Sequence, residues 1–249
     1  MAVSRARAEL FSDIWSLDLL RGVQTRLTFS KGRDGSPVWS PDGQRIAFTR
    51  NAAPGQSQAV MIGASGGAET VVISGVGPLD DWSPDGRFIT FNQDPSLMAL
   101  PTSGDHKPFP FVQTASANVD ESHFSPDGKW IAYNSNESGT WQVYLAPFPP
   151  TGERWQISAN GGAEVRWRGD GKELYYLGLD GQMTAVEVGL TPRPALGEAR
   201  VLFQTGIVVD PRPDQYAVSV DGQRFLLRRQ VVARFPLTVV LNWTAALKK

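Results

Sequence analysis

The sequence contains no cysteine and only two histidines, His106 and His123, among its 249 residues. Without a thiol the chain can form no disulfide bond, no cysteine-ligated zinc site and no cysteine nucleophile. The absence of cysteine leaves the cellular compartment undecided. An imidazole base, if the chain uses one, must be one of these two histidines.

Long apolar runs and an excess of either charge are also missing. The 24 basic and 25 acidic residues are spread along the chain, so no basic stripe predicts nucleic-acid binding, and a membrane surface is not indicated either. The apolar runs are no longer than a strand, whereas a membrane helix needs about 20 residues. Charged residues interrupt the N-terminal region, at Arg5, Arg7, Glu9 and Asp13. We therefore expect no signal peptide and no membrane insertion by this sequence.

What the sequence does contain is an internal repeat, an aromatic residue followed by Ser-Pro-Asp-Gly. The five copies, of which the last two are degraded, are centred on Asp42, Asp85, Asp127, Asp170 and Asp221. Successive copies lie 43, 42, 43 and 51 residues apart. A nearly constant period of this size indicates structural units that stack or that are arranged radially.

Each copy has the residues of a tight β-hairpin. Proline fixes the backbone at the first turn position, aspartate is tolerated at the second, and glycine takes the left-handed conformation, which predicts a type I turn with a glycine bulge. Short apolar strands are predicted after the turns, at 46–48, 89–91, 131–133, 174–176 and 225–227. Third and fourth strands follow, as at 59–62 and 70–73. Four antiparallel strands in about 43 residues are typical of a β-propeller blade.

The length corresponds to just under six such units, so we predict an all-β, six-bladed β-propeller of four-stranded antiparallel blades in a single domain. The predicted blades span roughly residues 1–29, 36–74, 79–113, 121–158, 164–204 and 214–243. The first blade lacks its first strand and has its fourth at 26–29, and the last blade lacks a fourth strand. We expect residues 205–213 to form a loop and residues 237–243 to complete the last blade rather than to pair with the N-terminus. The 8 Trp, 12 Phe and 5 Tyr are interpreted as packing between blades.

The repeat Trp-Ser-Pro-Asp-Gly-x-x-Ile-Ala-Phe, at residues 39–48, resembles the TolB-like or PD40 (WD40-like) β-propeller repeats, and the resemblance covers essentially the whole chain. Segments 13–15, 25–29, 165–167 and 238–244 also resemble the C-terminal propeller region of bacterial eukaryotic-like serine/threonine kinases. This second resemblance implies an extracytoplasmic (periplasmic) sensor module, and the chain would be a fragment or relative of such a kinase. No His-Arg-Asp catalytic loop, Asp-Phe-Gly or Gly-rich nucleotide loop occurs, so kinase activity is not predicted for this chain.

Two motifs could indicate a catalytic or a metal-binding site, and we interpret both as structural. Residues 63–67 match Gly-x-Ser-x-Gly, which exposes a nucleophilic serine between a strand and a helix, but here they lie between a third and a fourth strand. The five repeat aspartates could form a ring of metal ligands, but at a hairpin tip aspartate usually binds its own turn. No calcium-loop or His-Glu-x-x-His motif occurs. We therefore predict no catalytic residue, no metal site and no cofactor.

The positions just before the repeat aromatic residue, and those two residues earlier, predict a polar site. The first set consists of Val38, Asp81, His123, Arg166 and Ala217, and the second of Ser36, Leu79, Glu121, Glu164 and Gln215. With a period of two, both sets share one side of the first strand, which in a propeller borders the central channel. The candidate ligand or partner contacts are Asp81, Glu121, His123, Glu164 and Arg166. The alternative interpretation is a network in which these groups satisfy one another, for example Asp81 with Arg166.

These features favour a non-catalytic binding or sensor scaffold that recognises a protein partner or a small polar ligand through a propeller face. The main alternative is a propeller enzyme, a hydrolase or a lyase, with its site at the central channel. A third is a structural remnant. Acid and base groups with shifted pKa values at the channel would favour the enzyme, whereas a broad exposed apolar rim would favour a protein partner.

Overall fold

The structure is a computed structural model, and it describes residues 1–8, 11–114, 117–191, 193–212, 214–228 and 237–240. Within these ranges every regular element is a β-strand, which confirms the predicted all-β class. The same ranges contain no helix with the length and apolar character needed to cross a membrane. The chain divides into two compact units, Met1–Gln113 and Thr114–Lys249.

The first unit contains two sheets. Its strands are β1 (Ala2–Ala8), β2 (Phe11–Asp18), β3 (Val23–Arg26), β4 (Arg33–Trp39), β5 (Arg45–Ala53), β6 (Gln56–Gly63), β7 (Thr70–Ser74), β8 (Leu79–Trp82), β9 (Phe88–Gln93), β10 (Ser96–Pro101) and β11 (Phe109–Gln113). In the first sheet β1, β2 and β3 form one antiparallel group and β4 to β7 form another. A parallel contact between Ser12 and Arg33 joins the two groups. The second sheet has the antiparallel order β8, β9, β10, β11.

The second unit contains three antiparallel sheets. Its strands are β12 (Val119–Phe124), β13 (Trp130–Ser135), β14 (Gln142–Pro147), β15 (Trp155–Gln156), β16 (Ala163–Trp167), β17 (Glu173–Leu177), β18 (Gln182–Gly189), β19 (Ala195–Leu196), β20 (Arg200–Gln204), β21 (Tyr216–Val218), β22 (Phe225–Arg228) and β23 (Leu237–Val240). The first sheet runs in the order β12 to β15. In the second, β16, β17 and β18 follow one another, and both β19 and β20 pair with β18. The third sheet is β21, β22, β23.

The repeat turns form as predicted. Their glycines have φ between +68° and +76°, at Gly43, Gly86, Gly128, Gly171 and Gly222. In the first turn the Gly43 amide donates to the Ser40 carbonyl at 2.9 Å, while the Gln44 amide donates to Asp42 Oδ1 at 3.0 Å. The other repeat aspartates accept the equivalent amide bond. Each repeat aspartate therefore stabilises its own hairpin, as the structural interpretation expected.

The strand after each turn supplies the core. Ile46, Ala47 and Phe48 are fully buried, and residues 131–133 are equally inaccessible. In the second unit, side chains of β13 and β14 pack against β16, β17 and β18, and those of β17, β18 and β20 pack against β21 and β22. Tyr175 and Phe225 meet edge to face with their ring centroids 5.2 Å apart. These contacts agree with the packing role predicted for the aromatic residues, because ring pairs in this geometry bury much apolar area.

A β-bulge interrupts the first strand of four repeats, just before the repeat aromatic residue. The pairing of β4, β8, β12 and β16 with the next strand shifts by one residue within the ranges 35–38, 79–81, 120–123 and 163–166. Three residues there have left-handed backbone, Ser36 (φ 48°), Glu121 (φ 51°) and Glu164 (φ 54°). The strict period of two assumed from the sequence is therefore wrong in these strands, because the extra residue re-aims the side chains that follow it.

Other predicted elements are shifted or only partly described. The fourth strand of the first blade is Val23–Arg26 rather than 26–29, because Asp18 Oδ1 accepts from the Leu20 and Arg21 amides and reverses the chain early. Residues 205–212 lack strand structure, as expected of the loop, and Pro213 lies outside the described residues. β23 pairs with β22, which confirms the third strand of the last blade, and residues 241–243 lie outside the described part. The six-blade count and the single domain stay predictions.

Candidate functional site

Four of the five predicted contact residues come together in the second unit. β12 carries Glu121 and His123, and β16 carries Glu164 and Arg166. The two strands are tied directly, since Trp167 Nε1 donates to the His123 carbonyl at 3.0 Å. Asp214, just before β21, joins them through Arg166. We call Glu121, His123, Glu164, Arg166 and Asp214 the arginine cluster.

Arg166 is the centre of the cluster. Its Nη1 donates to Glu121 Oε2 at 3.2 Å and to the Val165 carbonyl at 2.8 Å, and its Nη2 donates to Asp214 Oδ1. The guanidinium carbon lies 5.4 Å from the centre of the Tyr216 ring. Burial alone would lower the pKa of Arg166, but the charges of Asp214 and Glu121 raise it above its ordinary value. The guanidinium is therefore a permanent, largely buried cation with two carboxylate partners.

Glu164 is fully buried and only half satisfied. Its Oε2 accepts from the Gln215 amide at 2.5 Å, whereas its Oε1 has no hydrogen-bond partner among the described residues. Burial raises the pKa of Glu164 well above the ordinary value, and the negative charge of Glu121 raises it further. A buried polar atom without a partner costs about 1–3 kcal/mol. The site therefore holds an unused acceptor inside the protein.

Glu121 lies between the positive and negative members of the cluster. It is buried, and its Oε2 lies 4.0 Å from His123 Nε2. Burial raises the pKa of Glu121, the charge of Asp214 adds to this, and Arg166 opposes it. Because Glu121 and Glu164 both have the left-handed backbone conformation, each position stores strain of about 1–3 kcal/mol, which proteins tend to keep at functional sites.

The ligand atoms of Glu121, His123 and Asp214 all lie within 4.8 Å of one another. These three residues are the ones in the cluster that could hold a metal ion, although the sequence predicted none. Asp81, the fifth predicted contact, lies half-buried in β8 of the first unit, so its placement beside the cluster stays a prediction.

The Gly-x-Ser-x-Gly match at 63–67 is a turn, as predicted. The Gly66 amide donates to the Gly63 carbonyl at 2.8 Å, and the next regular element is the strand β7. The strand-to-helix context that a serine nucleophile needs is thus absent from this described segment.

Known proteins match parts of this sequence, although no family model matches it. An uncharacterized protein of Agrobacterium fabrum is 38% identical over 84 residues, covering 32% of this chain and 27% of its own. A protein TolB homolog of Chlorobium luteolum is 30% identical over 139 residues, covering 54% of this chain and 31% of its own. Dipeptidyl-peptidase 5 of Aspergillus fumigatus is 27% identical over 166 residues, and the match covers 59% of this chain and 23% of the peptidase. The matches therefore span less than a third of each relative's length.

Solved structures extend the likeness to nearly the whole chain. TolB from Acinetobacter baumannii has a TM-score of 0.77 at 19% identity, covering 97% of this chain and 60% of its own. The β-propeller domain of Cps50 (Swd1) from Myceliophteria thermophila has a TM-score of 0.65 at 11% identity. This match covers 97% of our chain and 79% of the Cps50 chain. The chain has a TolB-like β-propeller fold. An oligogalacturonate lyase in complex with manganese shares this propeller fold, with a TM-score of 0.67 at 14% identity. The match covers 99% of this chain and 75% of the lyase chain. Likeness at these identities concerns the fold alone, because one fold hosts many functions.

Sequence reasoning missed Asp214, a member of the arginine cluster, and Tyr216, whose ring lies beside Arg166. Both flank Gln215, which the repeat alignment had placed in the second set but which carries no charge. The available signal was an acidic residue beside an aligned position, at the end of the loop 205–213. That signal is weak because the carboxylate reaches Arg166 across 48 positions of sequence.

Proposed function

We propose that this propeller is a non-catalytic recognition scaffold that binds a protein partner or a small polar ligand at the arginine cluster. The observation that carries the proposal is the surplus of acidic groups in the cluster. Three acidic side chains lie around one guanidinium, which bonds two of them, and an oxygen of buried Glu164 has no partner among the described residues. A network that served only stability would satisfy its buried polar atoms. The unused acceptor oxygens therefore favour a ligand group that donates hydrogen bonds or carries positive charge.

The finer form of this proposal is a six-bladed sensor module related to the propeller region of bacterial kinases. It is supported by the kinase-like segments of the sequence and by the TolB-like fold. In this form the positively charged group belongs to an extracytoplasmic partner or ligand.

Glu164 also favours a second candidate function, a hydrolase or lyase. A buried carboxyl with a raised pKa, such as that of Glu164, can act as a general acid or base. By name, one structural neighbour is an oligogalacturonate lyase and one sequence relative is a dipeptidyl-peptidase. Conversion of an oligogalacturonide or a peptide by the chain, with at least a tenfold loss in Glu164→Gln, would establish the enzyme and overturn the scaffold.

The scaffold is tested by a thermal-shift screen of amines, other charged metabolites and cell-wall fragments. We compare the wild type with Asp214→Asn and Arg166→Ala, and with Arg154→Ala as a matched control. Arg154 pairs with Glu137 at 2.9 Å in the same unit, outside the cluster. Asp214 has a 66% exposed side chain, so its replacement should leave the fold intact even if loss of the buried Arg166 does not.

The expected result is a compound that raises the melting temperature of the wild type and of Arg154→Ala, and that has a smaller effect on Asp214→Asn. If no compound shifts the wild type more than the cluster variants, the recognition site does not lie here.

A further inference from the structure

We infer that Glu121, His123 and Asp214 form a site for one divalent transition-metal ion. The inference rests on the proposed function, because it names the positively charged group that the arginine cluster takes. β12 supplies the first two ligands on either side of Ser122, and the segment before β21 supplies the third. Two elements 91 positions apart in sequence thus converge on one point, with all ligand atoms within 4.8 Å of one another.

The donor set defines the class of ion. One imidazole nitrogen and two carboxylate oxygens suit Zn²⁺, Mn²⁺ and similar ions, whereas Ca²⁺ and Mg²⁺ prefer oxygen alone. Metal–ligand bonds of about 2.0–2.2 Å hold ligand atoms about 3–4 Å apart, so the present set must close by about 1 Å. Asp214 can supply this movement, since its side chain is largely exposed.

Arg166 occupies only part of the two carboxylates. It bonds Oε2 of Glu121 and Oδ1 of Asp214. Each carboxylate has a second oxygen and several lone pairs, so it can bind the guanidinium and an ion together. Arg166 then orients both ligands, as partners of metal-binding side chains commonly do.

A second, independent observation points to a cation. Glu164 is fully buried, and its Oε1 has no hydrogen-bond partner among the described residues. Its Oε2 holds the Gln215 amide, which fixes the residue next to the Asp214 ligand. Glu164 lies close enough to Glu121, Arg166 and Asp214 for their charges to act on it, and an ion or a water bound to an ion would satisfy its second oxygen.

The cluster also holds more acidic groups than basic ones. Glu121, Glu164 and Asp214 lie around the single guanidinium of Arg166, which bonds one oxygen of Glu121 and one of Asp214. A metal ion would bind carboxylate oxygens that the guanidinium does not use, and it would also account for the unused oxygen of Glu164.

The test is titration of the full chain, stripped of metal with EDTA and dialysed, with ZnCl₂, MnCl₂ and CaCl₂. Binding is followed by isothermal titration calorimetry and by metal analysis after gel filtration. The site variants are His123→Ala and Asp214→Asn. Their matched controls are His106→Ala, the other histidine, and Asp210→Asn in the loop before Asp214. Asp214→Asn keeps the test valid if the partly buried His123 proves necessary for folding.

We expect one equivalent of Zn²⁺ or Mn²⁺ to bind the wild type more tightly than Ca²⁺, with affinity at least tenfold weaker in both site variants and unchanged in both controls. Absence of stoichiometric binding to the wild type, or equal affinity in the folded site variants, would overturn the inference. If metal fails to bind but an amine compound shifts the wild type, the recognition scaffold stands and only the metal site falls. If metal binds as expected but no ligand or partner does, the metal site stands and the recognition scaffold falls.

Discussion

Arg50 of the first unit holds two carboxylates at once, and Arg50→Met tests how much this contact stabilises the fold. Its Nε and Nη2 donate to the two oxygens of Asp34 at 2.7 and 2.9 Å, and its Nη1 and Nη2 donate to Glu69 at 2.5 and 3.0 Å. Asp34 is fully buried, whereas Glu69 is partly exposed. Methionine keeps an unbranched apolar stem but removes all four bonds, together with the guanidinium carbon that lies 5.2 Å from the centre of the Phe48 ring.

The expected loss is about 3–5 kcal/mol of unfolding free energy, because removing one member of a buried ion pair leaves the other charge without compensation. The Asp34 carboxylate then keeps long hydrogen bonds from Ser30 Oγ, at 3.3 and 3.2 Å, while Glu69 can be hydrated. The double variant Asp34→Asn/Arg50→Met should recover part of the loss, since no buried charge is then left unpaired.

The assay is urea unfolding followed by tryptophan fluorescence, with the shift in midpoint read at constant slope. Arg87→Met is the control, because Arg87 pairs with Asp85 at 2.6 Å while their side chains are 73% and 45% exposed. A surface pair of this kind contributes about 0–1 kcal/mol. If Arg50→Met costs no more than Arg87→Met, or if the double variant loses the sum of the two single effects, the buried pair does not stabilise the unit as argued.

Three further predictions concern the turns, the last sheet and acid stability. Gly43→Ala should cost about 1 kcal/mol because of its positive φ alone, whereas Gly77→Ala should cost about 2 kcal/mol or more, since its Cβ would lie 1.8 Å from the Asn92 carbonyl oxygen; equal melting temperatures would contradict this. Deletion of residues 237–249 removes β23 from β22 and should cause aggregation through the exposed edge, whereas a soluble monomer with an unchanged melting temperature would refute it. Hydrogen bonds from Arg168 hold the pKa of Asp170 at about 2, so the pair's small contribution to stability is present above the ordinary value of 3.8 and is lost as pH falls through about 2. Acid-unfolding curves of Asp170→Asn should lack this dependence, and identical curves for variant and wild type would exclude it.

The site was only partly predictable. The repeat alignment selected Glu121, His123, Glu164 and Arg166, and the structure brings these four together. The alignment could not reveal the bulges at Glu121 and Glu164. A left-handed backbone at a glutamate is unfavourable by itself and persists only where neighbouring strands enforce it. The assumed strict alternation was wrong for the same reason.

The sequence by itself determined the hairpins and the all-β class. A turn such as 40–45 is fixed by hydrogen bonds between residues at most five positions apart, so a short stretch of sequence is enough to predict it. The positions of the buried strands follow from the same repeat, because each apolar segment comes directly after a turn.

Only the tertiary structure decided which charges meet. Arg166 reaches Glu121 across 45 positions and Asp214 across 48, and Arg50 reaches Asp34 across 16 and Glu69 across 19. Whether these side chains come into contact depends on sheet twist, bulges and the packing of one sheet on the next. None of these is set by local backbone preference, because strand conformation is decided largely by neighbouring strands and packing.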